Sequence, residues 1–375
     1  MRKQDLVRLI LPYILATALH AQMLLNDLPD KDLGRPPLPP LISFLAIGYQ
    51  GKMATDPTAT PAGPASTVTF EELRVNAQGT IVPGEISSSS VTHYDELGRP
   101  TEQTYTQSGF STTTVTKYQG SHMISSESSW ATQGKPVKAW TYWKYDQSGK
   151  LTDFSRGRND ALENHYTNFA RDDKGRLLSF EYRQGTKDDL LNQTKFVYSS
   201  DGMTITRTES DSSGAFLNSV TEVLNAKGQV IQATIVDPDL QTKRPGAPIT
   251  ATFSYDEQGR LIEQLTDAGE PEDEQSLPPG KVSLSYDDAS RLRRTSYESK
   301  DGSLSSTIFL DSSGQTVGHS LEATATSTSI ALKLECTYDD HGNWTRCLRL
   351  VETGGTSKMT GAWRRSITYR QPGRP

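Results

Sequence analysis

The chain has little of what enzymes, nucleic-acid binders and membrane-spanning proteins require. Its 375 residues hold 2 cysteines and 6 histidines. The histidines are scattered, and Cys336 and Cys347 with His341 between them match no zinc-site spacing. No Gly-x-Ser-x-Gly, His-Glu-x-x-His, Walker or dinucleotide fingerprint occurs. No catalytic, cofactor-binding or metal-ligating set is therefore assigned, and the chain reads as a non-enzyme. Basic excess is missing too: 39 Lys and Arg stand against 45 Asp and Glu, a net charge of −6. That argues against a nucleic-acid surface. Arg364, Arg365, Arg370 and Arg374 near the C-terminus have no interleaved aromatic platform and read as a solvated edge strand and tail. Hydrophobic residues make up only 34% of the chain, which suits an elongated sheet better than a deep core. The apolar runs Leu9–Leu19 and Leu41–Tyr49 are too short for a stable membrane span, which needs about 20 residues. After residue 60 no window of helical length carries a 3.6-residue apolar stripe.

What is present is a repeated turn. Tyr94-Asp95-Glu96-Leu97-Gly98-Arg99, Tyr145-Asp146-Gln147-Ser148-Gly149-Lys150 and Arg171-Asp172-Asp173-Lys174-Gly175-Arg176 share one pattern. Further copies end at Gly202, Gly228, Gly259, Ser290, Gly314 and Gly342, and degenerate copies around Gly79 and Gly120 extend the series. Most spacings are roughly 24–31 residues, one hairpin-sized unit each. Asp or Asn at the turn start accepts from backbone amides two residues on. Gly three residues later supplies the positive φ of a type I turn plus bulge. Leu151, Leu177, Ile205, Ile231, Leu261 and Trp344 then begin the returning strands. Two residues before the Tyr position stand Trp143, Phe169, Phe196, Phe253, Leu284 and Ile308. Period-two spacing puts them on the Tyr face, which is therefore the core face. The hairpins at Arg171 and Ser290 depart from the pattern and are expected to be the least regular.

The segments Trp143-Lys144-Tyr145-Asp146, Phe253-Ser254-Tyr255-Asp256 and Leu284-Ser285-Tyr286-Asp287, with the Gly-Arg-Leu continuation, resemble the YD repeats of Rhs and teneurin-like proteins. The likeness covers about residues 90–346. It implies curved or spiralling β-sheet, in some members a shell around a toxin or a surface that touches carbohydrate. The units here are longer and less uniform, and neither the Rhs core signature nor a C-terminal toxin domain is seen. The expected fold is all-β: an array of antiparallel hairpins forming a curved sheet, a solenoid or an open barrel. An open end would carry an edge-pairing risk.

Arg2, Lys3 and Arg8, the apolar run to Leu19 and small residues near Ala18 and Ala21 follow the order of a secretory signal peptide. The expected organisation is a signal peptide at 1–21, a Pro-rich linker at 22–66 and the repeat domain at 67–370, in a secreted or periplasmic protein. Cys336 and Cys347 flank the last hairpin turn, opposite or one residue out of register, and an exported protein would join them. Such a bridge is worth about 2–3 kcal/mol. The structural residues are thus Cys336, Cys347, Gly98, Gly149, Gly175, Gly259 and Gly342. Paired carboxylates such as Asp172-Asp173 and Asp339-Asp340 read as turn caps rather than glycosidase acids, and a Ca²⁺-holding column of turn Asp residues is the less favoured alternative.

Alternation along Ala139–Tyr145 leaves Trp140, Tyr142 and Lys144 on the face opposite Trp143 and Tyr145. Trp140 and Tyr142 are the candidate ligand platform, for sugar rings or a cell-envelope protein; burial of both faces, by curvature or by the N-terminal segment, is the favoured reading of the strip. The expected function is a non-catalytic binding surface. A scaffold or fragment of an Rhs-type toxin system is the alternative, and a hydrolase with a site assembled from distant residues is the remote one.

Overall fold

A computed structural model describes residues 61, 63–238, 249–267, 280–287, 292–310, 316–323, 328–353 and 355–370. The first strands are β1 (Ala65–Val75), β2 (Ile81–Tyr94), β3 (Pro100–Gln107), β4 (Phe110–Gln119), β5 (His122–Thr132), β6 (Lys135–Tyr145) and β7 (Leu151–Arg158). They continue as β8 (Ala161–Arg171), β9 (Leu177–Gln184), β10 (Asp189–Tyr198), β11 (Thr204–Asp211), β12 (Phe216–Leu224), β13 (Val230–Val236) and β14 (Ile249–Tyr255). The rest are β15 (Leu261–Asp267), β16 (Gly280–Tyr286), β17 (Leu292–Ser299), β18 (Leu304–Leu310), β19 (Thr316–Ala323), β20 (Thr328–Tyr338), β21 (Trp344–Thr353) and β22 (Thr356–Tyr369). All belong to one 22-stranded sheet, and every pairing is antiparallel between sequence neighbours, with one addition. That addition is β1 with β22, from Ala65↔Tyr369 to Leu73↔Ala362. The protein is a curved all-β sheet of hairpins whose first and last strands hydrogen-bond to each other. No helix among the described residues is long and apolar enough to cross a membrane.

The recurring turn has the expected chemistry. Asp95 Oδ1 accepts from the amides of Leu97 and Arg99, both at 2.9 Å. Asp146 Oδ1 takes Ser148 and Lys150 at 2.8 and 3.0 Å, and Asp339 Oδ1 takes His341 and Asn343 at 3.0 and 2.9 Å. Gly98, Gly149, Gly175, Gly259 and Gly342 have φ of +73°, +77°, +77°, +81° and +79°, where a Cβ would be strained.

Each of these turns is followed by a bulge. Tyr145 pairs with Leu151 but Lys144 with Asp153, so Thr152 is the extra residue. Thr101, Leu178, Ile231, Ile262 and Thr345 occupy the same place in their hairpins. A bulge bends its strand and raises the local twist. Repeated along one rim, it curves the sheet until β22 meets β1. It also corrects one expectation: Ile231 is the extra residue and lies exposed, while Val230 takes the core place at 1% exposure. The glycine of a second expected copy also moves. The Asn76–Thr80 turn with Gly79 joins β1 to β2 at the opposite rim from the Tyr-Asp turns. The Ser290 hairpin turn lies outside the described residues, as do the signal-peptide and most of the linker positions.

The core face is apolar beside the Tyr-Asp rim. Leu151, Phe154, Leu177, Phe180, Phe196, Ile205, Val230 and Phe253 are buried in one cluster, with Trp143, Tyr145, Phe169 and Tyr198 packed against it. Leu284 is buried on its own strand. Further from that rim the face turns polar: Asn192 and Asn218 both donate to Glu209, at 2.6 and 3.0 Å, and Glu209 and Asn218 are buried. Of the C-terminal arginines expected on a solvated edge and tail, Arg365 is buried and Arg370 half-buried, Arg364 is exposed, and Arg374 lies outside the described residues. Arg365 is buried over the Trp344 ring, Arg364 pairs with Glu71 at 2.5 Å, and Arg370 donates to the Tyr94 carbonyl. Glu71 lies across the seam on β1, Tyr94 ends β2 and Trp344 begins β21, placements that the sequence does not display.

The turn carboxylates make the fold acid-sensitive. Burial raises the pKa of Asp95, Asp172, Asp256 and Asp339, but hydrogen bonds and neighbouring cations outweigh it and hold each below its ordinary value. Depressed folded values contribute stability that is complete above the unfolded pKa, about 3.9, and disappears as pH falls through the folded values. Urea midpoints are expected to drop steeply below about pH 4. Asp256→Asn, which can still cap the turn but loses the charge facing Arg260, should flatten part of that slope.

Candidate functional site

The Tyr-Asp rim is stitched from turn to turn. Arg99, Arg176 and Arg260 each pair with the Asp of their own turn, at 2.7, 2.7 and 2.5 Å. The same guanidinium groups lie over Tyr118, Tyr198 and Tyr286 of the following repeat, 4.2, 4.3 and 4.7 Å from the ring centres. The tyrosine hydroxyls reach back: Tyr198 donates to Leu177 O at 3.0 Å, Tyr255 to Val230 O at 2.7 Å and Tyr286 to Leu261 O at 2.8 Å. Arg171, expected to mark an irregular hairpin, instead substitutes for Tyr by donating to Leu151 O at 3.3 Å. Its turn keeps the pattern, with Gly175 N donating to Asp172 O. The irregularity lies further back in β8, where Asn168 has φ +55° and the register shifts.

These engagements decide what the rim can do. Asp172 caps its turn and pairs with Arg176, and Asp339 caps its turn and accepts from the Tyr369 hydroxyl. Among the described residues no group of three His, Cys, Asp or Glu could hold a metal ion. Cys336 and Cys347 face each other directly in the β20–β21 register and form a disulfide. It packs with Phe70, Leu334, Trp344 and Trp363.

The platform residues lie where alternation placed them. Trp143 and Tyr145 join the core cluster, while Trp140 and Tyr142 lie on the opposite face, half-buried. Their rings stack on each other, with centres 5.1 Å apart and planes 29° apart. Trp140 rests directly on Gly157, where an added Cβ would lie 2.4 Å from the indole. Both polar handles are used internally: the indole N–H donates to Asn159 O at 2.9 Å and the Tyr142 hydroxyl to Glu127 Oε1 at 2.9 Å. Lys138 pairs with Glu127 at 2.6 Å. Neighbours on the same face are small, Ser125 and Ser129 on β5 and Ser155 and Gly157 on β7. The result is a fixed pair of rings in a shallow polar surround.

Sequence reasoning missed a cluster two strands away. His165 bridges Asp153 Oδ2 at 2.9 Å and Asp188 Oδ1 at 3.0 Å. Lys144 lies 3.7 Å from Asp153, and Arg183 lies 3.9 Å from Asp188. The signal was available only as register, Ser155↔His165↔Arg183, because the residues are 12 to 23 positions apart. Burial disfavours the imidazolium, but the two carboxylates outweigh it and raise the His165 pKa above its ordinary value.

No family model matches the chain, and no curated protein matches it. Among solved structures, it is similar to a porin-like protein from Bacteroides uniformis at 13% identity, covering 82% of this chain and 99% of that one, with a TM-score of 0.28. A TcdB2-TccC3-Cdc42 structure matches at 12% identity over 83% of this chain, with a TM-score of 0.33; this chain spans 18% of its length. A porin-like protein from Bacteroides vulgatus matches at 12% identity over 82% of this chain and 98% of that one, with a TM-score of 0.23.

The His165 bridge sets a pH dependence of opposite sign to that of the turns. A raised folded pKa contributes stability that is complete below the unfolded value, about 6.5, and is lost as pH rises through the folded value. Thermal midpoints measured across pH 5 to 9 should therefore decline over that window. His165→Gln should remove the decline, and an unchanged slope in that variant would refute the assignment.

Proposed function

We propose that the chain is a non-catalytic, exported β-repeat protein whose Trp140–Tyr142 strip binds a carbohydrate chain. The observation that carries this reading is the ring pair fixed by Gly157 on the face away from the core. Large rigid rings contribute binding area with little ordering cost, and sugar faces stack on them. Along β6 the same face reads Lys138, Trp140, Tyr142, Lys144. That is a cation, two rings and a cation spread over about 20 Å, with Glu127 and Asp153 tied to the two lysines. The near balance of charge favours a neutral glycan over an acidic one. Export is supported by the N-terminal residue order and by the Cys336–Cys347 bridge.

Kinship with YD-repeat proteins belongs to the same proposal, and the stitched Asp–Arg–Tyr rim supports it. It also favours a second reading, a scaffold within a toxin-delivery system. Stable co-purification with a protein encoded by a neighbouring gene, with Trp140→Ala silent, would select that reading.

The test is a glycan array followed by titration calorimetry on the purified full chain. Trp140→Ala should weaken binding by about 1–3 kcal/mol, roughly a 5- to 150-fold loss. Gly157→Ala, whose Cβ would meet the Ala161 carbonyl at 2.2 Å and the Trp140 indole at 2.4 Å, should weaken it similarly and destabilise the fold by about 1–3 kcal/mol. Absence of binding to any neutral glycan would end the proposal.

A further inference from the structure

The seam between β22 and β1 is more than two strands that happen to meet. In the intact hairpin of β6 and β7, Asp146 N donates to Lys150 O at 2.9 Å, and Tyr145 pairs with Leu151. At the seam Arg370 N donates to Pro64 O at 2.9 Å, and Tyr369 pairs with Ala65. Gly63 has φ +84°, beside +77° for Gly149. The bulge recurs as well: Thr152 is the extra residue in the hairpin, and Ser66 is the extra residue at the seam, between Ala65↔Tyr369 and Thr67↔Thr368. Both hydroxyls do the same work, Thr152 donating to Lys144 O at 3.2 Å and Ser66 to Thr368 O at 3.0 Å. Leu151 and Ala65 are both buried, at 0% and 2% exposure.

The preceding turn also treats the seam as a repeat. In the array, Lys150 lies over Gly175, and His122 lies over Gly149. At the seam, His341 lies over Gly63 and stacks on Tyr369 with centres 4.0 Å apart. Asn343 donates to the Tyr369 hydroxyl at 2.7 Å, and that hydroxyl donates to Asp339 at 2.5 Å.

We infer that the protein carries a strand-docking site formed by the free side of β22 and the Asp339–Asn343 turn, and that its occupant is the chain's own Gly63–Val75 segment, which completes a repeat split between the two ends. Every other pair of neighbouring strands is joined through the chain, whereas this one is held only by non-covalent bonds. The seam is therefore where the array opens. Opening there frees one strand edge on each side, and the Cys336–Cys347 bridge keeps the receiving hairpin in register.

The test is amide hydrogen exchange on the full chain, with Gly63→Ala compared with the wild type. A residue with a Cβ is strained at this φ, so protection in β1 and β22 should fall about 5- to 30-fold. Protection in β9–β11, across the array, should not change. A cross-seam disulfide from Glu71→Cys with Arg364→Cys, which face each other in register, should restore protection in the Gly63→Ala background. Unchanged exchange at β1 and β22 would overturn the inference. Acceleration spread evenly over β9–β11 would overturn it too, since the seam would then not open on its own.

Discussion

Everything in this fold depends on one short-range arrangement: an Asp or Asn side chain gripping two amides ahead of it while glycine takes a positive φ. The grip fixes the turn, and the turn fixes which residue faces the core. Tyr145 can pair with Leu151 only because the turn between them has a set length, and Thr152 is then forced out as a bulge. The bulge bends the strand on the same side at each hairpin. Curvature of the whole sheet is thus a sum of local steps, each encoded in five or six residues.

The same arrangement explains how so thin an apolar supply suffices. Large side chains are concentrated beside the Tyr-Asp rim, where Tyr118, Tyr198 and Tyr286 each close against the preceding repeat through the hydroxyl and under an arginine. Beyond that belt, the buried Glu209 accepts from Asn192 and Asn218 on the two neighbouring strands. Satisfied polar groups in a sheet interior are close to neutral in stability, and unsatisfied ones are costly. The fold therefore depends less on the quantity of its core than on register. Arg171 illustrates the point. It is chemically unlike tyrosine, yet it meets the same carbonyl from the same position.

Most of the local structure was legible because its determinants are neighbours in sequence. The Asp-x-x-Gly spacing and the side of Trp143 and Phe253 follow from period-two counting and turn geometry, which left the cysteines opposite or one residue out of register until the bulge set them face to face. What was not legible has a common cause. Bulges reassign Ile231 and Val230, and a one-residue shift swaps the faces. Gly79 carries the same turn chemistry as Gly98 but on the other rim, since a turn motif does not say which end of the sheet it occupies. The partners of Arg364, Arg365 and His165 come from register across strands, which no local window contains.

The closure follows from the same local rule once the chain ends are included. A repeat array normally has two exposed edges, each able to template association. Here Tyr369 ends β22 as Tyr145 ends β6, and Gly63, with its positive φ, precedes β1 as Gly149 precedes β7. β22 and β1 thus meet in the register of the two strands of a Tyr-Asp hairpin. Because bond pattern, bulge and burial are all set within a few residues of the turn, the two halves can recognise each other without a peptide connection. The edges are consumed by the same interactions that join every other repeat, so closure needs no special cap. It needs only enough bulged hairpins to bring the second half within reach of the first.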